Sequence, residues 1–129
     1  MTNSSSAEST GTWRLIQPEE VLDMAVNDIE FLTELIDLFV ALAPEQMQDI
    51  RQAIENHDAG LLAEVAHAYK GTVGNYTQTG PYPLLQALEN DGKSADLQAS
   101  QSKFQTLEQE INALLNELET LKTEVNQSF

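Results

Sequence analysis

Apolar residues recur along this chain with the period of an α-helix almost from end to end, and no stretch alternates in the manner of a strand. Leu32, Ile36, Phe39, Ala43, Met47, Ile50 and Ile54 form one 3.6-residue stripe. Asn27 or Asp28 can cap this helix, which the pattern carries to about Asn56. Pro44 interrupts the stripe and predicts a kink, or a local break, near Leu42. Ahead of it, "QPEEVLDMAV" predicts a short helix, with Pro18 near its first turn and two glutamates at the favourable N-terminal end.

"NHDAG" supplies a turn in which His57 is a solvated residue, and Asp58 is a suitable cap for a third helix. Its apolar stripe is Leu62, Val65, Tyr69, Val73 and Tyr76. "TQTGPYP" then breaks the pattern, since Gly80, Pro81 and Pro83 cannot all continue a helix. A short fourth helix, "LLQALEN", ends around "DGKS", and Ser94 or Asp96 opens a last long one. There Leu97, Phe104, Ile111, Leu118 and Val125 share one heptad position, and Leu107, Leu114 and Leu121 share another. That seam fits a coiled-coil dimer, and it is equally what a four-helix bundle requires of one member. The expected fold is all-α: an antiparallel four-helix bundle with a short additional N-terminal helix. It should span residues 13–126, preceded by a Ser/Thr-rich disordered tail over residues 1–12.

Charge narrows the functions open to such a bundle. Six basic residues against 21 acidic ones give a formal net charge of −15. Such a surface repels nucleic acid and anionic lipid, so neither is an expected partner. There is no cysteine, hence no disulfide, thiolate metal site or cysteine nucleophile. The opening "MTNSSSAESTGTW" lacks the basic and apolar regions of a signal peptide, and no apolar run approaches the roughly 20 residues that span a bilayer. The expectation is a soluble cytoplasmic protein. The acid is also unevenly spread. No Asp or Glu falls between Glu64 and Glu89, where about four would be expected at this composition, and Lys70 is the only formal positive charge in that window. The gap reads either as a site that avoids negative charge or as a buried helix and turn.

The same window contains "AHAYKGTVGNY". Two glycines there each cost roughly 1 kcal/mol against alanine in a helix interior. At ~100° per residue, Ala63, His67, Lys70, Gly71 and Gly74 centre about 150° from the apolar stripe, so the motif faces away from the core. A solvated face ordinarily carries Glu, Lys, Gln or Ala; this one has small residues around a histidine and a lysine. Missing side chains leave room for another surface, and an imidazole with an ammonium one turn away suits a phosphoryl group held on nitrogen. The bland alternative is a solvated surface histidine. No second histidine stands three or four residues away, so a metal site is not expected.

These residues resemble the histidine-containing phosphotransfer (HPt) domain, marked by His-x-x-Lys-Gly with a second small residue three positions later. "LIDLFVALAPEQMQDIRQAIENHDAGLLAEVAHAYKG" is similar to that family's second and third helices, and "LLQALEN" to its fourth, so that roughly residues 20–122 are covered. The resemblance implies that His67 is phosphorylated, with Lys70 stabilising the phosphate charge. It further implies that Ala63, Gly71, Gly74 and Glu89 meet a docking receiver domain. The implied function is a phosphorelay intermediate that takes a phosphoryl group from a receiver aspartate and passes it to another receiver. Its partners would be receiver domains and a cognate hybrid histidine kinase, met by a monomer. No cofactor is implied; Mg²⁺ would come with the receiver. With no phosphate-binding loop present, ATP-dependent kinase activity is not expected. The alternatives are a phosphotransfer domain of a chemotaxis-type or hybrid kinase, or a non-catalytic coiled-coil module. One departure stands ten residues after the histidine, where the family often has Gly-Ala and this chain has Thr77 and Gln78.

Overall fold

The computed structural model describes residues 13–127; the tail expected over residues 1–12 lies outside them. Five helices follow in order: α1 (Pro18–Met24), α2 (Ile29–Glu55), α3 (Ala59–Val73), α4 (Pro81–Ser94) and α5 (Ser100–Gln127). Contacts run from α2 to α3, α3 to α4, α4 to α5, and from α5 back to α2, which closes a four-helix ring. The connections are short, so neighbours are antiparallel. Lys122 near the end of α5 meets Asp37 near the start of α2 at 2.6 Å, as that topology requires.

The caps are local chemistry. Asp28 accepts from the Phe31 N–H and Asp58 from the Leu61 N–H, each at 3.1 Å, satisfying donors that a helix start leaves unpaired. Both helices begin where the sequence predicts. Pro44 does not break α2, which runs unbroken through it. A mid-helix proline costs about 3 kcal/mol, but Phe39, Ile50 and Ile54 are buried on either side, at about 1.5–3 kcal/mol each, and keep the helix continuous.

Two boundaries differ from the expected ones. Helix α4 begins at Pro81 instead of Leu84, because both prolines fall in the first turn, where their missing N–H groups would be unpaired anyway. Helix α5 begins at Ser100, and neither Ser94 nor Asp96 opens it. Asp96 instead accepts from the Gln98 N–H at 3.3 Å, a local turn that competes with helix and leaves Leu97 in the connection.

The heptad residues Phe104, Leu107, Ile111, Leu114, Leu118 and Leu121 are buried within the chain's own core. That apolar seam is used up inside the bundle and does not serve a coiled-coil dimer. The extended segment before α1 is held by Glu117, whose carboxylate accepts from the Arg14, Leu15 and Ile16 N–H groups at 2.9–3.2 Å. Thr77, the departure noted above, donates its hydroxyl to the Leu15 carbonyl at 2.6 Å. The α3–α4 turn is thus tied to the N-terminal segment, and that tie accounts for a threonine at this position.

Candidate functional site

Helix α3 buries Leu62, Ala66, Tyr69 and Val73, while the His67 side chain stays 69% exposed. His67 and Gly71 therefore lie off the core, as the spacing predicts, whereas Ala63, Lys70 and Gly74 of the same face are half-buried against α4. Helix α3 ends at Val73, short of Tyr76, and Gly74 closes it with helical dihedrals (φ −62°) and not a positive φ. Tyr76 is nevertheless buried, its ring centroid 4.8 Å from that of Phe39.

Helix α4 lies alongside and supplies the partners. Glu89, whose side chain is only 3% exposed, brings Oε2 to 3.0 Å from His67 Nδ1. The same oxygen is 3.0 Å from the Lys93 ammonium, and Oε1 is 2.8 Å from that of Lys70. Lys70 donates its well-directed hydrogen bond to Gln86 Oε1 at 2.7 Å; its approach to Glu89 is an ion pair whose angles are poor for hydrogen bonding. The Lys70 ammonium outweighs the effect of burial, and Lys93 adds to it, so the Glu89 carboxyl is held down at about 2. The acid-free window thus ends at the carboxylate on which the His67 and Lys70 side chains converge.

An ionised carboxylate only accepts hydrogen bonds, so near neutral pH it is Nδ1 of His67 that carries the proton and donates to Glu89. In the neutral ring, Nε2 then holds the free lone pair, on the side of the imidazole away from Glu89. One contact fixes the tautomer, the ring orientation and the nucleophilic atom together.

The remaining predicted residues divide. Gly71 is exposed, and a Cβ there would meet nothing within 4 Å. Gly74 faces inward: a Cβ would lie 3.0 Å from the Tyr82 ring and 3.2 Å from the Lys70 carbonyl. Ala63 is half-buried in the α3–α4 seam, where its backbone would be 2.5 Å from a Cβ on Gly92. Small size at Gly74 and Gly92 is accounted for by contacts inside the molecule; at Gly71 it is not. Sequence reasoning missed Gln86, Gly92 and Lys93. The Glu89–Lys93 spacing of four was a usable signal for the last.

Across Gly71 and Ala68 from the histidine, the adjoining face of α2 exposes Leu38 and Leu42. They line a groove of about 170 Å³ with Tyr69, Thr72 and Asn75 of this region. Among the described residues, no group of three or more His, Cys, Asp or Glu side chains gathers as metal ligands, and no helix is long and apolar enough to cross a membrane.

The family model for the Hpt domain matches residues 34–122, most of the chain and all of this site. The chain belongs to the Hpt family. Its role is accordingly histidine phosphotransfer in a phosphorelay. A solved structure, histidine-containing phosphotransfer protein B (HptB) from Pseudomonas aeruginosa PAO1, superposes with a TM-score of 0.79 at 18% identity, covering 86% of this chain and 96% of that one. At that identity the likeness concerns the fold. No curated protein sequence matches the chain.

Proposed function

We propose that this Hpt protein is an intermediate between receiver domains, with His67 as the residue that carries the phosphoryl group. The observation that supports it most directly is the bond from His67 Nδ1 to the buried Glu89 carboxylate, which leaves Nε2 as the unprotonated, outward-facing nitrogen. A receiver presents an aspartyl phosphate, and the Nε2 lone pair attacks phosphorus in line. The bond from phosphorus to the aspartate oxygen breaks, and its electron pair leaves on the aspartate carboxylate. The ring keeps its proton on Nδ1, donated to the Glu89 carboxylate, so the cation formed on phosphorylation faces an anion. Attack by an aspartate of a second receiver reverses these steps.

The receiver docks over Gly71 and Ala68, with Leu38 and Leu42 as apolar contacts at the edge of the same face. The open space at Gly71 and the exposed leucines support this placement. The Mg²⁺ this transfer requires belongs to the receiver.

The test is incubation of the full chain with a phosphorylated receiver domain. The expected product is an acid-labile, base-stable label on the chain that a second, unphosphorylated receiver discharges. Absence of label, or label of the opposite stability, would overturn the reading.

A further inference from the structure

Resting on the phosphotransfer reading, we infer that the two lysines around Glu89 have separate duties: Lys93 supplies the counter-charge for the phosphoryl group, and Lys70 is a positioning residue that fixes Glu89. The sequence motif points to Lys70 for the first role, but its surroundings do not suit it. The Lys70 side chain is only 14% exposed, and its ammonium is engaged at once by Gln86 Oε1 at 2.7 Å and Glu89 Oε1 at 2.8 Å. Turning it toward a phosphoryl group on Nε2 would strip a buried carboxylate of its nearest cation, and leaving a buried charge uncompensated is costly. Lys70 is committed to holding Glu89 ionised and aimed at Nδ1.

Lys93 has the opposite character. Its side chain is 64% exposed, and it lies one turn beyond Glu89 on α4. Its ammonium shares Oε2 with His67 Nδ1, each at 3.0 Å, which places it within about 6 Å of the ring and inside the range where charges are not screened. A flexible four-carbon stem lets it leave Oε2 without losing burial. Charge favours the move. In the resting protein one carboxylate faces two ammonium groups. A dianionic phosphoryl group on Nε2 adds a second anionic centre across the ring from Glu89, and Lys93, on its exposed flexible stem, is the cation free to turn toward it while Lys70 stays on Glu89.

The experiment uses the full chain phosphorylated with phosphoramidate, a small donor that needs no receiver. It compares wild type, Lys93→Met, Lys93→Arg and Lys70→Met by ³¹P NMR over pH. An ammonium paired with the phosphoryl group lowers the pH at which that group takes up its second proton. The inference expects the midpoint in Lys93→Met to rise by about half a pH unit or more, with arginine restoring it. Lys70→Met should keep the wild-type midpoint while accepting label at least about tenfold more slowly, because Glu89 no longer holds the ring. A Lys93→Met midpoint equal to wild type overturns the inference whether or not Lys70→Met folds. So does a shifted midpoint in a folded Lys70→Met. If wild type takes no histidine-type label from phosphoramidate or from a phosphorylated receiver, the transfer reading fails first, and this inference with it.

Discussion

A methyl group added at Gly71 would touch nothing within 4 Å, so Gly71→Ala should keep the helix and stabilise it by up to roughly 1 kcal/mol. Gly74→Ala should gain less or lose, because its Cβ would press on the Tyr82 ring at 3.0 Å and the Lys70 carbonyl at 3.2 Å. Leucine or glutamate at position 71 should block transfer with little change in melting temperature, which is the behaviour of a site that gives up stability for access. Thermal melts beside transfer rates check both points; a destabilised Gly71→Ala, or a Gly71→Leu that transfers at the wild-type rate, would show that the docking face is elsewhere. His67 itself is exposed, so His67→Gln should melt like wild type and take no phosphoryl group. Histidine-type label surviving in that variant would refute the assignment.

Between elements, the decisive contact is the close approach of α3 and α4 at Gly92. A Cβ there would lie 2.5 Å from the Ala63 nitrogen and 2.6 Å from the Ala59 carbonyl, both backbone atoms that cannot swing aside. Gly92→Ala should therefore destabilise by about 1–3 kcal/mol. Because the seam also sets Glu89 against His67, it should slow transfer more than equally destabilising core variants do. A Gly92→Ala protein with wild-type melting and transfer would mean that the seam does not set the register. Pro44→Ala, on an exposed position of α2, should stabilise by up to about 3 kcal/mol, read as a rise in melting temperature, since the helix already runs through the proline. These features explain what could be read from the sequence. Helices α2, α3 and α5 each bury one face, so a single stripe reveals them, and Asp28 and Asp58 announce their caps locally. The His67 face was legible for the same reason. The starts of α4 and α5 were not, because Pro81, Pro83 and Asp96 act within one turn, below the resolution of periodicity. Lys93 and Gln86 became site residues only through the register of α4 against α3, and that register is set by a glycine whose neighbours, Ala59 and Ala63, lie far earlier in the chain.

For the whole molecule, the −15 charge and the Glu89 cluster respond to acid in opposite senses. Protonating exposed carboxylates relieves self-repulsion, but for ordinary carboxylates this begins only below about pH 5, so the melting temperature should hold from pH 7 to about pH 5. Glu89 behaves differently because Lys70 and Lys93 hold its carboxyl from 4.5 down to about 2. A group depressed on folding stabilises fully above its unfolded value, and the contribution is lost as pH falls through the folded one. The stabilisation from Glu89 is thus complete above about 4.5 and disappears toward about 2. Glu89→Gln, which never carries the charge, should melt lower than wild type at pH 7 because Lys70 loses its anion. Its deficit should stay level down to about pH 4.5 and then shrink as wild type loses the same interaction. Paired melts of the two proteins from pH 7 to pH 2.5 measure this directly. A deficit that stays the same across the whole range would mean that the Glu89 charge contributes nothing to stability, and that Lys70 is held by Gln86 alone.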